Sequence, residues 1–456
     1  MTLNPAAILD RLPAPLQSRL RHFRRHAEQR GFAWHVGVML LGTVSGQAVS
    51  LALSPILTRI FTPAEFGYLS VYGAVLMIFG VIASLGLELA IPICMAEAEC
   101  ANLLALCGLT LACTTALVVA VSYLIPASAL AVWLGPIAAY RFLLPVGFAF
   151  LGGYFILLSL ATRASAFQEI ARTRITQGIS GPVSQIILGL LGFGAPALVI
   201  GFIIGQSSGT LLLLQRCVLA RREWLRSVSW AGMQAVAIRY IRFPLFASWA
   251  RLLESAGSGM VLFLIFSALY SSRVAGFMFL SERVIWRPLL LVSSSLLQVF
   301  TGEAGRSVSE DPQQLRRRFY QVMPRQLLLV TAWVALANLL AGWVFPVLFG
   351  PEWGNAIPYL RALSVAYLLQ AVVHPLSTTL QMLERQVTAG LWQIGRLVLL
   401  VGGVLLAWHF GLSALAALWI ASLVQAACCL VLLGLMAGAI EQVVGPRDKQ
   451  SAVLES

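Results

Sequence analysis

Seven charged side chains stand near the middle of long apolar segments of this chain. An ionised group inside a bilayer costs about 3 kcal/mol or more, so it usually marks a pathway, a proton relay or an internal ion pair. Guanidinium groups stay charged and bind phosphate oxygens through paired hydrogen bonds, whereas carboxylates can carry protons or cations. The seven are Glu88, Arg251, Glu254, Glu282, Arg283, Arg287 and Arg396.

Five of these charges fall in two consecutive apolar segments. Arg251 and Glu254 have the i, i+3 spacing that places both on one face of a helix, and Arg283 and Arg287 have the i, i+4 spacing. If the two segments are adjacent antiparallel helices, these four residues and Glu282 lie at similar depth. Three arginines then outnumber two glutamates in one cluster.

Two interpretations of the charges compete. In the first, they form a buried network in which every charge is paired or hydrogen-bonded, and this network holds helices together. In the second, the arginines face a water-filled path and hold an anionic group. We favour the second because Arg287 and Arg396 lack an obvious carboxylate nearby. The candidates for the anionic group are Arg251, Arg283, Arg287 and Arg396, and those for coupling or structural ion pairs are Glu88, Glu254 and Glu282.

Composition shows what must position these side chains. Of the 456 residues, 59% are hydrophobic and only 11% are charged, against about 25% charged in soluble domains. Runs of about 20 apolar residues can cross the bilayer as helices. We predict twelve spans, at residues 36–57, 66–91, 103–124, 142–160, 175–193, 195–214, 243–269, 274–300, 327–349, 357–383, 387–408 and 412–436.

Basic residues predict the orientation of these spans, because Lys and Arg in short loops are held on the cytoplasmic side. With the N-terminus inside, the inner segments hold 23 of the 31 Lys and Arg residues. Both termini are therefore predicted to be cytoplasmic. The basic segment 1–35 could form a helix on anionic headgroups, and we favour a role as topological anchor over a specific lipid or protein site.

Two short strings indicate an internal repeat. FGAPAL at 193–198 and FGLSAL at 410–415 each join two spans at the same place in a set of six. A second echo relates Phe61 and Gly67 to Tyr270 and Gly276. We therefore predict an all-α polytopic fold of about twelve helices in two pseudo-symmetric lobes, 36–214 and 243–436, with a cytoplasmic connector at 215–242 and a tail at 437–456. A duplicated scaffold without a transport role is the alternative.

Other function classes fit less well. The net charge of +13 is explained by the inner loops, so we expect no nucleic-acid partner. The longest outer loop, 125–141, contains no Asp, Glu or His, so we predict that the protein is not an enzyme. The seven cysteines lack paired C-x-x-C spacing, and we predict no metal site and no cofactor.

Several motifs, in order along the chain, resemble the polysaccharide transporter family, which flips lipid-linked oligosaccharides and belongs to the same superfamily as multidrug and toxin extruders. They are SPILTR at 54–59, FTPAEFGY at 61–68, ELAI at 88–91, IARTRITQ at 170–177, GLLGFG at 189–194 and FGPEW at 349–353. The resemblance covers residues 36 to 430. One departure is the acidic loop with Glu97 and Glu99, which has no compensating base.

The resemblance implies two lobes around a central cationic cavity that opens alternately to each side. It also implies a multi-pass protein of the bacterial inner membrane that moves an undecaprenyl-diphosphate-linked repeat unit to the outer leaflet for O-antigen, capsule or exopolysaccharide assembly. Its expected partners are the lipid-linked oligosaccharide, the lipid bilayer and a polysaccharide polymerase. A proton gradient, a sodium gradient or the membrane potential could drive transport.

The alternative function is ion-coupled extrusion of small cationic compounds. Such a transporter would place carboxylates, rather than arginines, along its path. Glu88, Glu254 and Glu282 keep this alternative open, although four mid-span arginines outnumber them.

Overall fold

The computed structural model describes residues 37, 39, 41–219, 223, 226–310 and 312–454. The basic segment predicted at 1–35 lies outside the described residues. Within the described part, the chain is helical and no β-strand is assigned.

Twelve long helices correspond one to one with the twelve predicted spans, which confirms the all-α polytopic fold class. They are α1 (Leu41–Ile60), α2 (Pro63–Gly80), α3 (Glu97–Leu124), α4 (Leu143–Arg163), α5 (Phe167–Leu190), α6 (Ala195–Val218), α7 (Phe243–Leu269), α8 (Ser272–Glu310), α9 (Gln313–Phe349), α10 (Pro351–Met382), α11 (Gln386–His409) and α12 (Ala414–Leu454). A shorter helix, Trp230–Arg239, lies between α6 and α7.

Ten of these helices are both long enough and apolar enough to cross a membrane. The other two, α5 and α8, have sufficient length, at 24 and 39 residues. They are more polar, since α8 carries Glu282, Arg283 and Arg287 and α5 carries Arg172 and Arg174. Both pack closely on other helices, α5 on α6 and α8 on α2. The three charged residues of α8 are buried or half-buried among protein neighbours, whereas Arg172 of α5 is exposed.

The second predicted span is not one continuous helix. A capping box begins α2, in which the Thr62 side chain accepts from the Glu65 amide and Glu65 accepts from the Thr62 amide. Helix α2 ends at Gly80, and a short 3-10 helix, Leu87–Ile93, follows after six residues of turns. Leu85 and Gly86 both have positive φ there, at 53° and 73°. The prediction of an unbroken span at 66–91 was wrong, because hydropathy does not report backbone direction.

Helix α7 is also irregular. Two π-helical turns, Phe243–Ala247 and Ala256–Met260, flank its central segment Ser248–Ser255. Gly259 has a φ of 100°, outside the helical region. Such turns are common at functional sites in helices. The helical path is therefore interrupted in both halves of the chain, after the end of α2 in the first half and within α7 in the second.

The halves meet where α2 crosses α8. A Cβ on Gly67 would collide with the Ser272 carbonyl, and a Cβ on Gly276 would collide with the Pro63 carbonyl. The two contacts are reciprocal, since Gly67 and Gly276 are separated by the same 209 positions as Pro63 and Ser272 (67 to 276, 63 to 272). The echo around Gly67 and Gly276 thus lies on a pseudo-symmetric contact. The exact lobe boundaries stay a prediction.

The two FG strings lie at the predicted joints, α5–α6 and α11–α12, but two residues out of register. Gly192 and Gly411 have positive φ, 83° and 69°, at equivalent places after their helices. The next amide in each case bonds five residues back, Phe193 to Leu188 (3.2 Å) and Leu412 to Ala407 (2.9 Å). Gly192, and not Gly194, is thus the equivalent of Gly411. The match between the two strings therefore identified the joint between the helices correctly, but it aligned the residues of the two joints incorrectly.

Candidate functional site

An ion pair between Glu88 and Arg251 joins the two halves of the chain. It lies in the region where the helical path is interrupted after α2 and within α7. Arg251 Nη1 donates to Glu88 Oε1, and Ser84 Oγ donates to Glu88 Oε2. The Glu88 side chain is 3% exposed and that of Arg251 is 27% exposed. The i, i+3 spacing places Glu254 on the same helix face as Arg251, but the carboxylate bound to Arg251 comes from 163 positions away.

The turns after α2 present Glu88 to α7. Ser248 Oγ donates to the Leu85 carbonyl (3.2 Å), and Ser255 Oγ donates to the Met77 carbonyl (3.0 Å). These carbonyls lie at or just before the interruption, where regular helical bonding ends. Two serines of α7 therefore hold the broken end of α2 on either side of the ion pair.

Arg283 makes a different contact between the halves. Its Nη2 donates to the Ser50 carbonyl (2.8 Å) and to Ser50 Oγ (2.6 Å) on α1. Both acceptors are neutral. Among the described residues, no carboxylate lies within 4 Å of this guanidinium.

Arg287 has a carboxylate partner that its sequence context did not suggest. Arg287 Nε lies 3.4 Å from Glu282 Oε1, five residues earlier on α8. Five residues is outside the i+3 and i+4 pairs that share a helix face, but the long arginine side chain spans the difference. The premise that Arg287 lacks a nearby carboxylate was therefore wrong.

Arg396 on α11 is the most deeply buried of the four arginines, with 7% of its surface exposed. Its Nη2 donates to Gln393 Oε1 (2.8 Å), and its guanidinium lies 4.7 Å from the centre of the Trp392 ring. Its Nε is buried without a hydrogen-bond partner. Gly257 of α7 lies against the guanidinium, where a Cβ would meet Nη2 at 2.7 Å. Within the described chain, no carboxylate lies within 4 Å of Arg396.

The five-charge cluster expected on α7 and α8 is thus divided. Arg251 pairs with Glu88, which follows α2. Arg283 donates hydrogen bonds to Ser50 of α1, and Arg287 pairs with Glu282 within α8. Glu254 is exposed, and no ion pair to it is found in the described part of the chain. Two of the four arginines are therefore in ion pairs, and the other two have no carboxylate partner among the described residues, so the choice between the two interpretations stays a prediction.

Sequence reasoning missed a second charged site. Glu99 Oε1 accepts from Arg239 Nη1 (2.8 Å) and from the Tyr240 hydroxyl (2.9 Å), both at the end of the helix Trp230–Arg239. Burial and this hydrogen bond raise the pKa of Tyr240, so the hydroxyl stays protonated as a donor. The acidic loop after the second span does have a compensating base. It comes from the connector, 140 positions further along the chain than Glu99.

The same connector helix is anchored at its start. Asn102 Oδ1 accepts from the Ser229 amide (2.9 Å), and Asn102 Nδ2 donates to the Ser227 carbonyl (3.3 Å). Gly232 lies directly on the Asn102 side chain. Two polar residues of α3 therefore hold both ends of the connector helix.

The opposite end of the molecule is closed by contacts between the halves. Trp353 Nε1 donates to the Thr58 carbonyl (2.9 Å), and the Trp353 ring packs edge-on against Phe66 at 5.2 Å. Arg59 Nη2 donates to the Val347 carbonyl (3.0 Å). We call this region, together with the crossing of Gly67 and Gly276, the closed end.

Comparison with solved structures places this arrangement among membrane transporters. The inward-closed lipid II flippase MurJ matches with a TM-score of 0.67 at 13% identity, covering 89% of each chain. An inward-facing MATE-family multidrug resistance transporter of the MOP superfamily matches with a TM-score of 0.64 at 17% identity, covering 88% of this chain and 96% of that one. The outward-facing form of a MATE transporter gives 0.56 at 16% identity, with coverage of 90% and 96%. At these identities the likeness shows the fold.

The comparison with protein families is more specific. No curated protein matches the chain significantly. A family model described as "Polysaccharide biosynthesis protein" matches residues 56–358, which is more than half of the chain and includes the Glu88–Arg251 pair and the closed end. The chain therefore belongs to this polysaccharide biosynthesis family and is a multi-pass membrane protein whose fold is like that of the MATE transporters and the flippase MurJ.

Proposed function

We propose that the protein moves a polyprenyl-diphosphate-linked oligosaccharide from the inner to the outer leaflet by alternating access. The product would serve O-antigen, capsule or exopolysaccharide assembly. Membership of a polysaccharide biosynthesis family and a fold like that of MurJ, a lipid II flippase, support this substrate class. The bilayer and the lipid-linked oligosaccharide are the partners this function requires, and a polymerase that uses the product is a third.

One observation carries the proposal: Arg283 and Arg396 stand in membrane helices without a carboxylate partner among the described residues. A diphosphate cannot cross hydrocarbon unaided, because an isolated charge there is costly. A guanidinium bound only to neutral groups can donate hydrogen bonds to a phosphate oxygen without first losing an ion pair. Arg283 and Arg396 are therefore the first contacts for the anion, and Arg251 and Arg287 can join after their carboxylates are displaced.

The rival function, ion-coupled extrusion of cationic compounds, has weaker support. A cation site needs a carboxylate free to bind it. Glu88 and Glu282 are both buried and engaged by arginines, at 3% and 4% side-chain exposure. Glu254 alone of the three lacks such a partner within the described residues. A proton gradient, a sodium gradient or the membrane potential are retained as energy sources for the flippase.

Orientation follows from the basic loops. We place the closed end on the outer face of the bacterial inner membrane and both termini in the cytoplasm. The connector helix Trp230–Arg239 and Glu99 then lie on the cytoplasmic side. Substrate would enter from that side while the closed end stays shut.

The decisive experiment replaces the arginines. The double variant Arg283→Ala/Arg396→Ala should lose surface glycan export while it still reaches the membrane at wild-type level. Arg361→Ala is a matched control, since Arg361 is an exposed arginine on α10, and it should export normally. Undiminished export by the double variant would refute the anion path.

A further inference from the structure

The two halves of the chain contact each other at two levels along the helices, and the two contacts differ in the interactions that form them. At the closed end, helix backbones cross at Gly67 and Gly276, and Trp353 packs into the first half. Some 20 residues further along the first half, the contact includes the Glu88–Arg251 pair and the two serine–carbonyl bonds to Leu85 and Met77. We call this second level the Glu88 contact.

The Glu88 contact is built on segments in which the regular helix is interrupted. On the first half, Glu88 follows six residues of turns after Gly80. On the second half, Arg251 stands in the segment Ser248–Ser255, between two π-helical turns. Sharp kinks in helices occur at interruptions of this kind. A change in this one ion pair can therefore shift both segments.

The partner of Arg251 is a carboxylate, and a diphosphate offers the same chemistry with more oxygens. Guanidinium binds carboxylate and phosphate through the same planar array of N–H donors. Arg251 keeps 27% of its side chain exposed, whereas Glu88 is almost fully enclosed. An incoming anion can thus reach the guanidinium before it reaches the carboxylate.

We infer that Glu88 occupies the place on Arg251 that the diphosphate takes, and that this exchange opens the Glu88 contact between the halves. The inference rests on the proposed function, since it identifies the anion as the diphosphate head group. A buried carboxylate that loses its guanidinium is strongly destabilised. The segment that carries Glu88 therefore moves toward water when the anion replaces it. Arrival of the substrate is in this way coupled to separation of the halves.

Competition between Glu88 and the anion for Arg251 predicts a different effect on anion binding from the effect that a purely structural ion pair predicts. If Glu88 blocks Arg251, removal of its charge should strengthen binding of the anion, since the binding-competent fraction rises. A structural pair predicts equal or weaker binding, because its loss disorders the site. The sign of the change separates the two.

The test measures binding of geranylgeranyl diphosphate to the full chain in lipid nanodiscs. Glu88→Gln should tighten binding about tenfold, the scale of a typical coupling between sites. Arg251→Ala should weaken binding, and Glu88→Gln should then add nothing in the Arg251→Ala background. Glu441→Gln removes the same charge from an exposed pair with Arg316 and should leave binding unchanged. Geranylgeraniol, which lacks the diphosphate, controls for binding of the lipid tail.

A second measurement needs no variant. Hydrogen exchange of wild-type residues 81–93 and 243–260 should become faster on addition of geranylgeranyl diphosphate and stay unchanged with geranylgeraniol. If the diphosphate binds, but Glu88→Gln fails to tighten it and exchange does not rise, the exchange mechanism is refuted and the proposed function stands. If the diphosphate binds neither wild type nor Glu88→Gln, both are refuted.

Discussion

Arg396 and Arg251 differ in whether their binding partners can be predicted from the sequence. Its type and mid-span position mark it as a candidate from sequence alone. Its partners Gln393 and Trp392 are local, at i−3 and i−4, and are therefore also visible in the sequence. The partner of Arg251 is 163 positions away, so no local spacing could reveal it. Candidate charges could thus be predicted, whereas pairing across the halves could not.

The buried Nε of Arg396 leads to a prediction that separates stability from transport. An unsatisfied buried donor costs about 1–3 kcal/mol, and an apolar side chain of similar shape removes that cost. Arg396→Met should therefore keep or raise the thermal unfolding temperature while it abolishes glycan export. Unfolding is followed by fluorescence in nanodiscs, and Arg396→Lys, which keeps the charge but loses the planar fork, should retain partial export. A large loss of stability in Arg396→Met would show that the side chain is structural.

Glycines at the crossing of the halves lead to a second prediction at this scale. Gly67→Leu places a side chain against the Ser272 carbonyl, and overpacking of this kind costs about 1–3 kcal/mol. We expect a lower unfolding temperature and loss of the closed end, measured by accessibility of a cysteine introduced there. The control is Gly73→Ala on the same helix, where nothing lies within 4 Å of the new Cβ. This change should stabilise the helix by up to about 1 kcal/mol.

At the scale of elements, hydropathy predicted where helices lie but not their continuity. A bilayer needs about 20 apolar residues for each crossing, so the twelve positions follow from composition. The interruption of α2 depends on the φ angles of Leu85 and Gly86, and both residues are compatible with an apolar run. The connector helix was predicted only as a basic segment. Its attachment to α3 through Glu99 and Asn102 is a tertiary contact.

The attachment of the connector helix can be tested directly. Glu99→Ala removes an ion pair to Arg239 and a hydrogen bond to Tyr240, and hydrogen bonds to a charged group contribute about 1.5–3 kcal/mol. Amide exchange in residues 230–239 should become at least about tenfold faster, as measured by mass spectrometry. Glu97→Ala, at an exposed position on the same turn of α3, should leave exchange unchanged. Equal protection in Glu99→Ala would show that the helix is held by other contacts.

At the scale of the whole molecule, the two levels of contact define what transport must break. The closed end has backbone crossings and aromatic packing, whereas the Glu88 contact depends on one ion pair and two hydroxyl groups. Separation at the Glu88 contact therefore breaks an ion pair and two hydroxyl-to-carbonyl hydrogen bonds but no glycine backbone crossing like that at the closed end. If the closed end faces outward, as proposed, separation at the Glu88 contact opens the protein toward the cytoplasm, the side from which the proposed substrate would enter.

Cysteine labelling tests this orientation. In a Cys113→Ser background, Ser128→Cys lies in the short helix Ala127–Leu134, and Gln386→Cys begins α11. Both positions are exposed. An impermeant maleimide should label Ser128→Cys in intact cells and Gln386→Cys only after permeabilisation. The reverse pattern would invert the topology and place the closed end inside.

The reciprocal crossing of α2 and α8 has a consequence for the origin of the two halves. Pro63 touches the counterpart of Gly67, and Gly67 touches the counterpart of Pro63, which is the pattern of an isologous interface between identical subunits. Six crossings per half leave both halves with the same direction in the bilayer, as in a two-fold dimer with its axis along the membrane normal. A single ancestral half would thus have carried, on one helix, both surfaces needed to bind a copy of itself. Fusion then freed each copy to diverge, so that one could acquire Glu88 and the other Arg251.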